Sequence, residues 1–167
     1  MPGKAESRVD NPPKLGRIPR RYLLVSGAGD GPSGLTSFDR ALFAAGSGNF
    51  NLVKVTSILP PGAEPGLITE LFPGEVVHAA LGSLTSDQPG ELIAAAVAVG
   101  VPADPNAVGV LMEGSCLDSA ARAEAQVREM ARQALEDRGT ELLRIESCAV
   151  EWRVRQVGSV MAAVLLW

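Results

Sequence analysis

Histidine and cysteine are scarce in this chain, which has one histidine and two cysteines among its 167 residues. The single histidine, His78, excludes a metal site built on several histidines and argues against a Ser-His-Asp triad. Cys116 and Cys148 are too far apart for the CxxC spacing of a zinc site, and a chain of this length needs no disulfide framework. We therefore expect no metal site and two buried thiols in a reducing compartment, the cytoplasm.

Long apolar runs and an excess of positive charge are also absent. No stretch reaches the roughly 18 apolar residues of a membrane span, and the C-terminal SVMAAVLLW is short enough to be a buried strand. The net charge of −4 gives no general argument for nucleic acid as a partner. The sequence thus predicts neither a membrane nor a nucleic-acid partner.

The charge that is present is unevenly distributed. Residues 1–21 carry six basic and two acidic side chains, together with four prolines. No apolar segment follows these charges, so the pattern differs from that of a secretory signal. With 46% apolar residues, the chain has enough material for one core. We expect a flexible basic arm over residues 1–20 and a single domain over residues 21–167.

Two helical patterns interrupt a series of apolar runs that are typical of strands. In the segments GPSGLTSFDRALFAAGSG and SAARAEAQVREMARQALEDRG, apolar residues recur every three or four positions. The other runs begin with RRYLLVSGAG, a strand that enters a glycine turn, and complete the order β-α-β-β-β-β-α-β-β. Because two helices cannot cover both faces of one wide sheet, we expect an α+β fold, a layered αββα sandwich with mainly antiparallel sheets.

The most informative stretch is GSGNFNLVKVTSILPPGAE, in which a strand ends at Thr56-Ser57, just before two prolines. Hydroxyl groups in such places usually bond to nearby backbone. The glycine-rich segments SGAGDGPSG and GSGN suggest a phosphate cradle, but neither has the spacing of a nucleotide-binding loop. A third interpretation is chemical, in which Ser57 attacks the carbonyl of Thr56. This reaction needs a restrained backbone, which the flanking glycines and prolines can supply.

Together with SFDRALFAAG upstream and GVLMEGSC downstream, this stretch resembles the pyruvoyl-dependent arginine decarboxylases. The resemblance covers nearly the whole domain from about Arg21 and implies a zymogen that cleaves itself between Thr56 and Ser57. The products would be chains of 56 and 111 residues, with Ser57 converted into a covalent pyruvoyl cofactor. The resemblance also implies that L-arginine becomes agmatine and CO₂ through an imine with this electron sink, for polyamine biosynthesis or acid resistance.

The same resemblance assigns a proton donor. Glu113 in GVLMEGSC matches the residue with which the family returns a proton to Cα. Its apolar neighbours Val110, Leu111 and Met112 predict that desolvation raises the pKa of its carboxyl group. By periodicity alone, a strand glutamate that faces outward is an equally good interpretation.

Substrate-binding residues are also implied by the resemblance. Asp39 matches the family's carboxylate for the guanidinium of the substrate, which favours a bidentate partner; pairing with a neighbouring helix charge is the structural alternative. Asn51 matches an asparagine near the scissile bond, which we expect to orient the Thr56 carbonyl or the substrate. Its alternative role is to start the strand. Gly46 and Gly48 are expected to permit close backbone approach at this site.

Members of the family form trimers, and the resemblance implies a homotrimer or a dimer of trimers with active sites at subunit boundaries. Asp39 and Glu113 then serve a site that contains a neighbour's Ser57. Two rivals stay open. One is a pyruvoyl decarboxylase of another amino acid, because pocket walls set the accepted substrate length. The other is an unprocessed, non-catalytic homologue that acts as an assembly subunit.

Overall fold

A computed structural model describes residues 18–167, so most of the predicted basic arm, residues 1–17, lies outside the described part of the chain. The elements in chain order are β1 (Arg21–Gly31), α1 (Gly34–Ala44), β2 (Asn51–Lys54), β3 (Ile58–Leu59), β4 (Glu64–Pro65), a 3₁₀ turn (Ile68–Glu70), β5 (Val76–Ser86), β6 (Leu92–Pro102), β7 (Gly109–Cys116), α2 (Ala120–Glu136), β8 (Leu142–Arg153) and β9 (Val157–Leu166).

The strands form two sheets that pack face to face. The first sheet has the order β2-β5-β9-β1-β4 and the second the order β3-β7-β6-β8. All neighbouring strands are antiparallel except the pairs β1–β4 and β2–β5. The inner faces bury one apolar cluster, while α1 covers the outside of the first sheet and α2 the outside of the second. The predicted α+β sandwich with mainly antiparallel sheets is therefore confirmed.

The glycines of β1 allow α1 to lie directly on the first sheet. The sequence predicted that the strand enters a turn here, but β1 continues as a strand to Gly31. Gly27, Gly29 and Gly31 point toward α1, and a Cβ on Gly27 would lie 2.2 Å from the carbonyl oxygen of Ala41. These glycines therefore allow the helix backbone to pack directly against the strand. They form part of a strand rather than a phosphate-binding loop.

Helix α2 forms in the predicted segment and packs with one apolar face against the second sheet. Ser119 caps it by accepting a hydrogen bond from the backbone N–H of Arg122. The helix buries Ala123, Val127, Ala131 and Leu135, against the small residues Ala94, Ala96 and Ala98 of β6.

Neither described helix is long and apolar enough to cross a membrane. Cys116 and Cys148 are both unpaired and partly buried. Burial raises the pKa of the Cys148 thiol to about 11. This thiol therefore stays protonated at neutral pH and is a poor nucleophile.

The predicted strand NLVKVTSIL is divided between the two sheets. Its first half is β2, at one edge of the first sheet, and its second half is β3, at one edge of the second sheet. Thr56 and Ser57 lie between the two halves. The short strand β4, absent from the predicted order, follows and pairs with the start of β1.

The close approach of α1 to β1 predicts a large effect of one methyl group. Gly27→Ala should lower the free energy of unfolding by about 1–3 kcal/mol, because the added Cβ displaces the helix backbone. Urea denaturation measures this change.

Gly34→Ala is the matched control. A Cβ on Gly34 would meet only Thr85, at an ordinary distance of 3.5 Å, and alanine favours the helix that begins there. The control should keep or slightly increase the free energy of unfolding. Equal losses of unfolding free energy in both variants would show that the packing of α1 does not depend on Gly27.

Candidate active site

The peptide bond between Thr56 and Ser57 lies where the chain passes from one sheet to the other. The N–H of Val55 donates to the carbonyl oxygen of Ala79 in the first sheet at 3.0 Å. The N–H of Leu111 in the second sheet donates to the carbonyl oxygen of Ser57 at 2.9 Å. The backbone is thus held on both sides of this bond, by strands of different sheets.

The hydroxyl group of Ser57 forms no hydrogen bond with the described part of the chain. Ser57 is half-buried and Thr56 is exposed. Beyond Ser57, β3 is only two residues long, and it ends just before Pro60, which cannot donate to a strand ladder. The crossing therefore presents a hydroxyl next to a carbonyl group, on a backbone that neighbouring strands hold in place.

Glu113 lies beside this crossing. It is two residues after Leu111 on β7, so both side chains point toward the first sheet. Gly82 of β5 faces it, and a Cβ at Gly82 would lie 3.3 Å from the Cβ of Glu113. The missing side chain at Gly82 leaves the space that the carboxyl group needs between the sheets.

Burial raises the pKa of the Glu113 carboxyl group above its ordinary value. The positive charge of Lys54, on β2, offsets part of this rise, and the backbone N–H of Glu113 also lowers the pKa. The net direction is upward because the desolvation of the half-buried carboxyl group is the largest of these effects. Glu113 therefore keeps its proton to a higher pH than an exposed glutamate does.

Asn51 and Asp39 lie away from the crossing within one protomer. Asn51 begins β2, five residues before Thr56, which is about 16 Å along an extended strand. Its Nδ2 donates to the carbonyl oxygen of Gly74 at 2.8 Å. Asp39 is on the exposed outer face of α1. Neither residue forms a hydrogen bond or ion pair with Ser57 or Glu113 in the part of the chain that the structure describes.

Gly46 and Gly48 shape the loop between α1 and β2. Gly46 follows the helix with a φ of +76°, a conformation that favours glycine. A Cβ on Gly48 would lie 3.0 Å from the Cα of Phe43, so the loop is pressed against the end of the helix. Both glycines thus set the direction in which β2 leaves α1, and any contact with substrate stays a prediction.

A cavity of about 320 Å³ opens between α1 and the edge of the first sheet. Its lining residues are Phe38, Leu42, Phe50, Leu52, Lys54, Ala79 and Leu81. Lys54 is its single charged lining residue. The sequence motifs do not indicate Lys54, Gly82 or the N–H of Leu111. Alternation along β2 could have placed Lys54 beside Leu52, but no local pattern shows that its charge acts on the pKa of Glu113.

The raised pKa of Glu113 predicts a pH-dependent effect on stability. A carboxyl group with a folded-state pKa above its unfolded value stabilises the fold at low pH, and this contribution is lost as the pH rises through the folded-state pKa. We expect the Ser57→Ala background to keep the chain intact. In this background, Glu113→Gln should therefore become more stable relative to its parent as the pH rises from about 4 to about 8. Urea denaturation at both pH values measures the difference.

Glu129→Gln is the control, because Arg132 lowers the pKa of the exposed Glu129 carboxyl group. Glu129→Gln should become less stable relative to the parent as the pH rises over the same range. A Glu113→Gln variant with no pH-dependent difference would contradict the half-buried position of this carboxyl group.

Comparison of the sequence with known proteins identifies its family. A family model described as pyruvoyl-dependent arginine decarboxylase (PvlArgDC) matches residues 21–165. The chain is 45% identical over 153 residues to a pyruvoyl-dependent arginine decarboxylase of Methanocaldococcus jannaschii, an alignment that covers 90% of this chain and 92% of that protein. It is 42% identical over 151 residues to the protein of the same name from Methanococcus aeolicus, with coverage of 90% and 92%.

Among solved structures, a pyruvoyl-dependent histidine decarboxylase superposes with a TM-score of 0.44 at 16% identity, over 58% of this chain and 52% of that chain. This likeness is too distant to support an argument. The family model and the close relatives suffice, and they confirm the resemblance found in the three sequence motifs. The chain belongs to the pyruvoyl-dependent arginine decarboxylase family.

Proposed function

We propose that this protein decarboxylates L-arginine to agmatine and CO₂, with a pyruvoyl group that it makes from its own Ser57. The observation that carries the proposal is the position of the Thr56–Ser57 bond. It lies where the chain crosses between sheets, beside a glutamate with a raised pKa. Relatives that are 45% and 42% identical are named pyruvoyl-dependent arginine decarboxylases.

Self-cleavage begins with Ser57. Its Oγ attacks the carbonyl carbon of Thr56, and the C–N bond breaks, so the amide becomes an ester. Loss of the Ser57 Cα proton then expels the Thr56 carboxylate and leaves dehydroalanine. Water then replaces the α-nitrogen of this dehydroalanine, and the nitrogen leaves as ammonia. The second chain now begins with a pyruvoyl group. Strand contacts hold the backbone on both sides of the bond and favour this attack, since they keep hydroxyl and carbonyl together.

The residues present fit the pyruvoyl group. The carbonyl group of Ser57, which the pyruvoyl retains, already accepts a hydrogen bond from the N–H of Leu111 at 2.9 Å. When formed, the group supplies the electron sink for the release of CO₂. Glu113 supplies the proton that Cα of the substrate needs afterwards, because its carboxyl group stays protonated to a higher pH than usual.

A neighbouring subunit completes the site in this proposal. Asp39 lies on α1 between Leu35 and Phe43, four residues from each, and these two side chains are 81% and 71% exposed. This apolar stripe with an acid at its centre suits a subunit contact, since large apolar side chains in a row are uncommon on free surfaces. In a homotrimer, or a dimer of trimers, Asp39 would bind the guanidinium of arginine, and Asn51 would reach a neighbour's Ser57.

Removal of the attacking hydroxyl group tests self-cleavage. Ser57→Ala should fold but remain one chain without decarboxylase activity. The parent should yield chains of 56 and 111 residues. Denaturing mass spectrometry measures this difference. Ser115→Ala, which removes an exposed hydroxyl group of β7, is the control and should still cleave. A parent chain that stays intact in active preparations would overturn the proposal.

A second variant tests substrate recognition. Asp39→Asn should raise KM for arginine by about 10- to 100-fold, because a charge-assisted bidentate contact is lost. Self-cleavage should be unchanged, since Asp39 has no contact with Ser57 within the protomer. Steady-state assays with arginine, lysine and ornithine measure selectivity. Asp87→Asn, which changes an exposed acid in the loop between β5 and β6, is the control. An unchanged KM in Asp39→Asn would remove Asp39 from the site.

A further inference from the structure

One side chain connects the crossing between the sheets to the apolar core. Between Ser47 and Gly66, a stretch that the structure describes in full, Leu59 is the only buried residue, with 3% of its surface exposed. It belongs to the cluster that fills the space between the two sheets. The other residues of the crossing are half-buried or exposed, so the core holds this part of the chain mainly through Leu59.

Strand pairing alone holds the crossing weakly on the side of the second sheet. β3 has two residues, Ile58 and Leu59, which pair with Val110 and Gly109. Pro60 follows, and it has no N–H with which to extend the ladder. A two-residue ladder at a sheet edge contributes little stability by itself. The position of β3 therefore depends on the burial of the Leu59 side chain.

The second sheet has a space that fits Leu59. A Cβ on Gly109 would lie 2.9 Å from Cδ2 of Leu59 and 3.1 Å from its Cβ. The Leu59 side chain thus occupies the space that a side chain at position 109 would take. Ser57 lies two residues before Leu59, and its carbonyl oxygen accepts the hydrogen bond from the N–H of Leu111 at 2.9 Å. The packing of Leu59 and this hydrogen bond together fix the backbone of Ser57.

Self-cleavage would increase the need for such packing. It turns Ser57 from a residue inside the chain into the first residue of a new chain, in which Leu59 is the third. Chain ends are poorly ordered unless packing or hydrogen bonds hold them. A keto group on this chain end has to keep one position relative to the substrate in each turnover.

We propose that Leu59 is the positioning residue for Ser57, both before and after cleavage. The inference rests on the proposed function. Before cleavage, the buried side chain fixes the start of β3 and keeps Ser57 Oγ within reach of the Thr56 carbonyl carbon. The C–O bond forms, the C–N bond breaks, and the hydroxyl proton passes to the released nitrogen. After cleavage, the same side chain holds the new chain end beside Leu111.

The rate of self-cleavage tests the role before cleavage. Leu59→Ala should slow the appearance of the two product chains by about tenfold or more, because the attack depends on a fixed geometry. Freshly made protein from cell-free translation, followed over time by denaturing mass spectrometry, gives this rate. Leu59→Met, which nearly conserves the side-chain volume, should cleave close to the parental rate.

Ile93→Ala is the matched control. Ile93 is fully buried in the same cluster, and its truncation removes as many carbon atoms as Leu59→Ala does. It lies on β6, seven residues and thus about 23 Å before Gly100, whose carbonyl oxygen is beside Gly109. Ile93→Ala should lose stability and still cleave at the parental rate. Equal slowing in both alanine variants, or parental cleavage in Leu59→Ala, would overturn the proposal.

Amide hydrogen exchange tests the packing without any cleavage. In full-length Ser57→Ala protein, NMR follows exchange of the Leu111 N–H, with the amides of β9 in the middle of the first sheet as reference. Leu59→Ala should speed the exchange of Leu111 by about tenfold or more relative to β9, whereas Ile93→Ala should leave this ratio unchanged.

An unchanged exchange ratio in Leu59→Ala would overturn the positioning role. Faster exchange of the Leu111 N–H in Leu59→Ala, together with a parent protein that never cleaves, would support the packing role of Leu59 and refute the proposed function.

Discussion

The structure depends on one constraint, the passage of a single strand run from the first sheet to the second at Thr56-Ser57. β2 is tied to β5, and the carbonyl group of Ser57 is tied to β7. Because each sheet is fixed by its own ladder and by the shared apolar core, neither end of the crossing can relax without loss of strand pairing. A reactive pair of groups can be held at this point without a dedicated loop.

Glycines allow neighbouring layers of the fold to pack closely enough for this arrangement. The row of glycines on β1 lets α1 lie on the first sheet at backbone distance, and Gly82 opens the space for Glu113 between the sheets. In both places a missing Cβ decides which groups can approach. The close layers then exclude water from one side of Glu113, so the fold itself raises the pKa of the carboxyl group.

Burial and charge act in opposite directions on the pKa of the Glu113 carboxyl group. Burial raises this pKa, as a proton donor requires, while the positive charge of Lys54 lowers it. Asp39 belongs to a different surface, between exposed apolar side chains on the outside of α1. In the proposed function, the chemistry at the sheet edge and the recognition on this helix face would come from different subunits.

Local sequence patterns determined the helices, most strands, the αββα class and the motifs around Ser57, Glu113 and Asp39, since periodicity and residue spacing are properties of neighbouring residues. They failed where long-range pairing decided the outcome. The run NLVKVTSIL looks like one strand, and SGAGDG looks like a loop, because nothing local shows which sheet or helix each will meet. The position of Glu113 beside the Thr56–Ser57 crossing likewise exists only after β3 and β7, distant in sequence, pair at one edge of the second sheet.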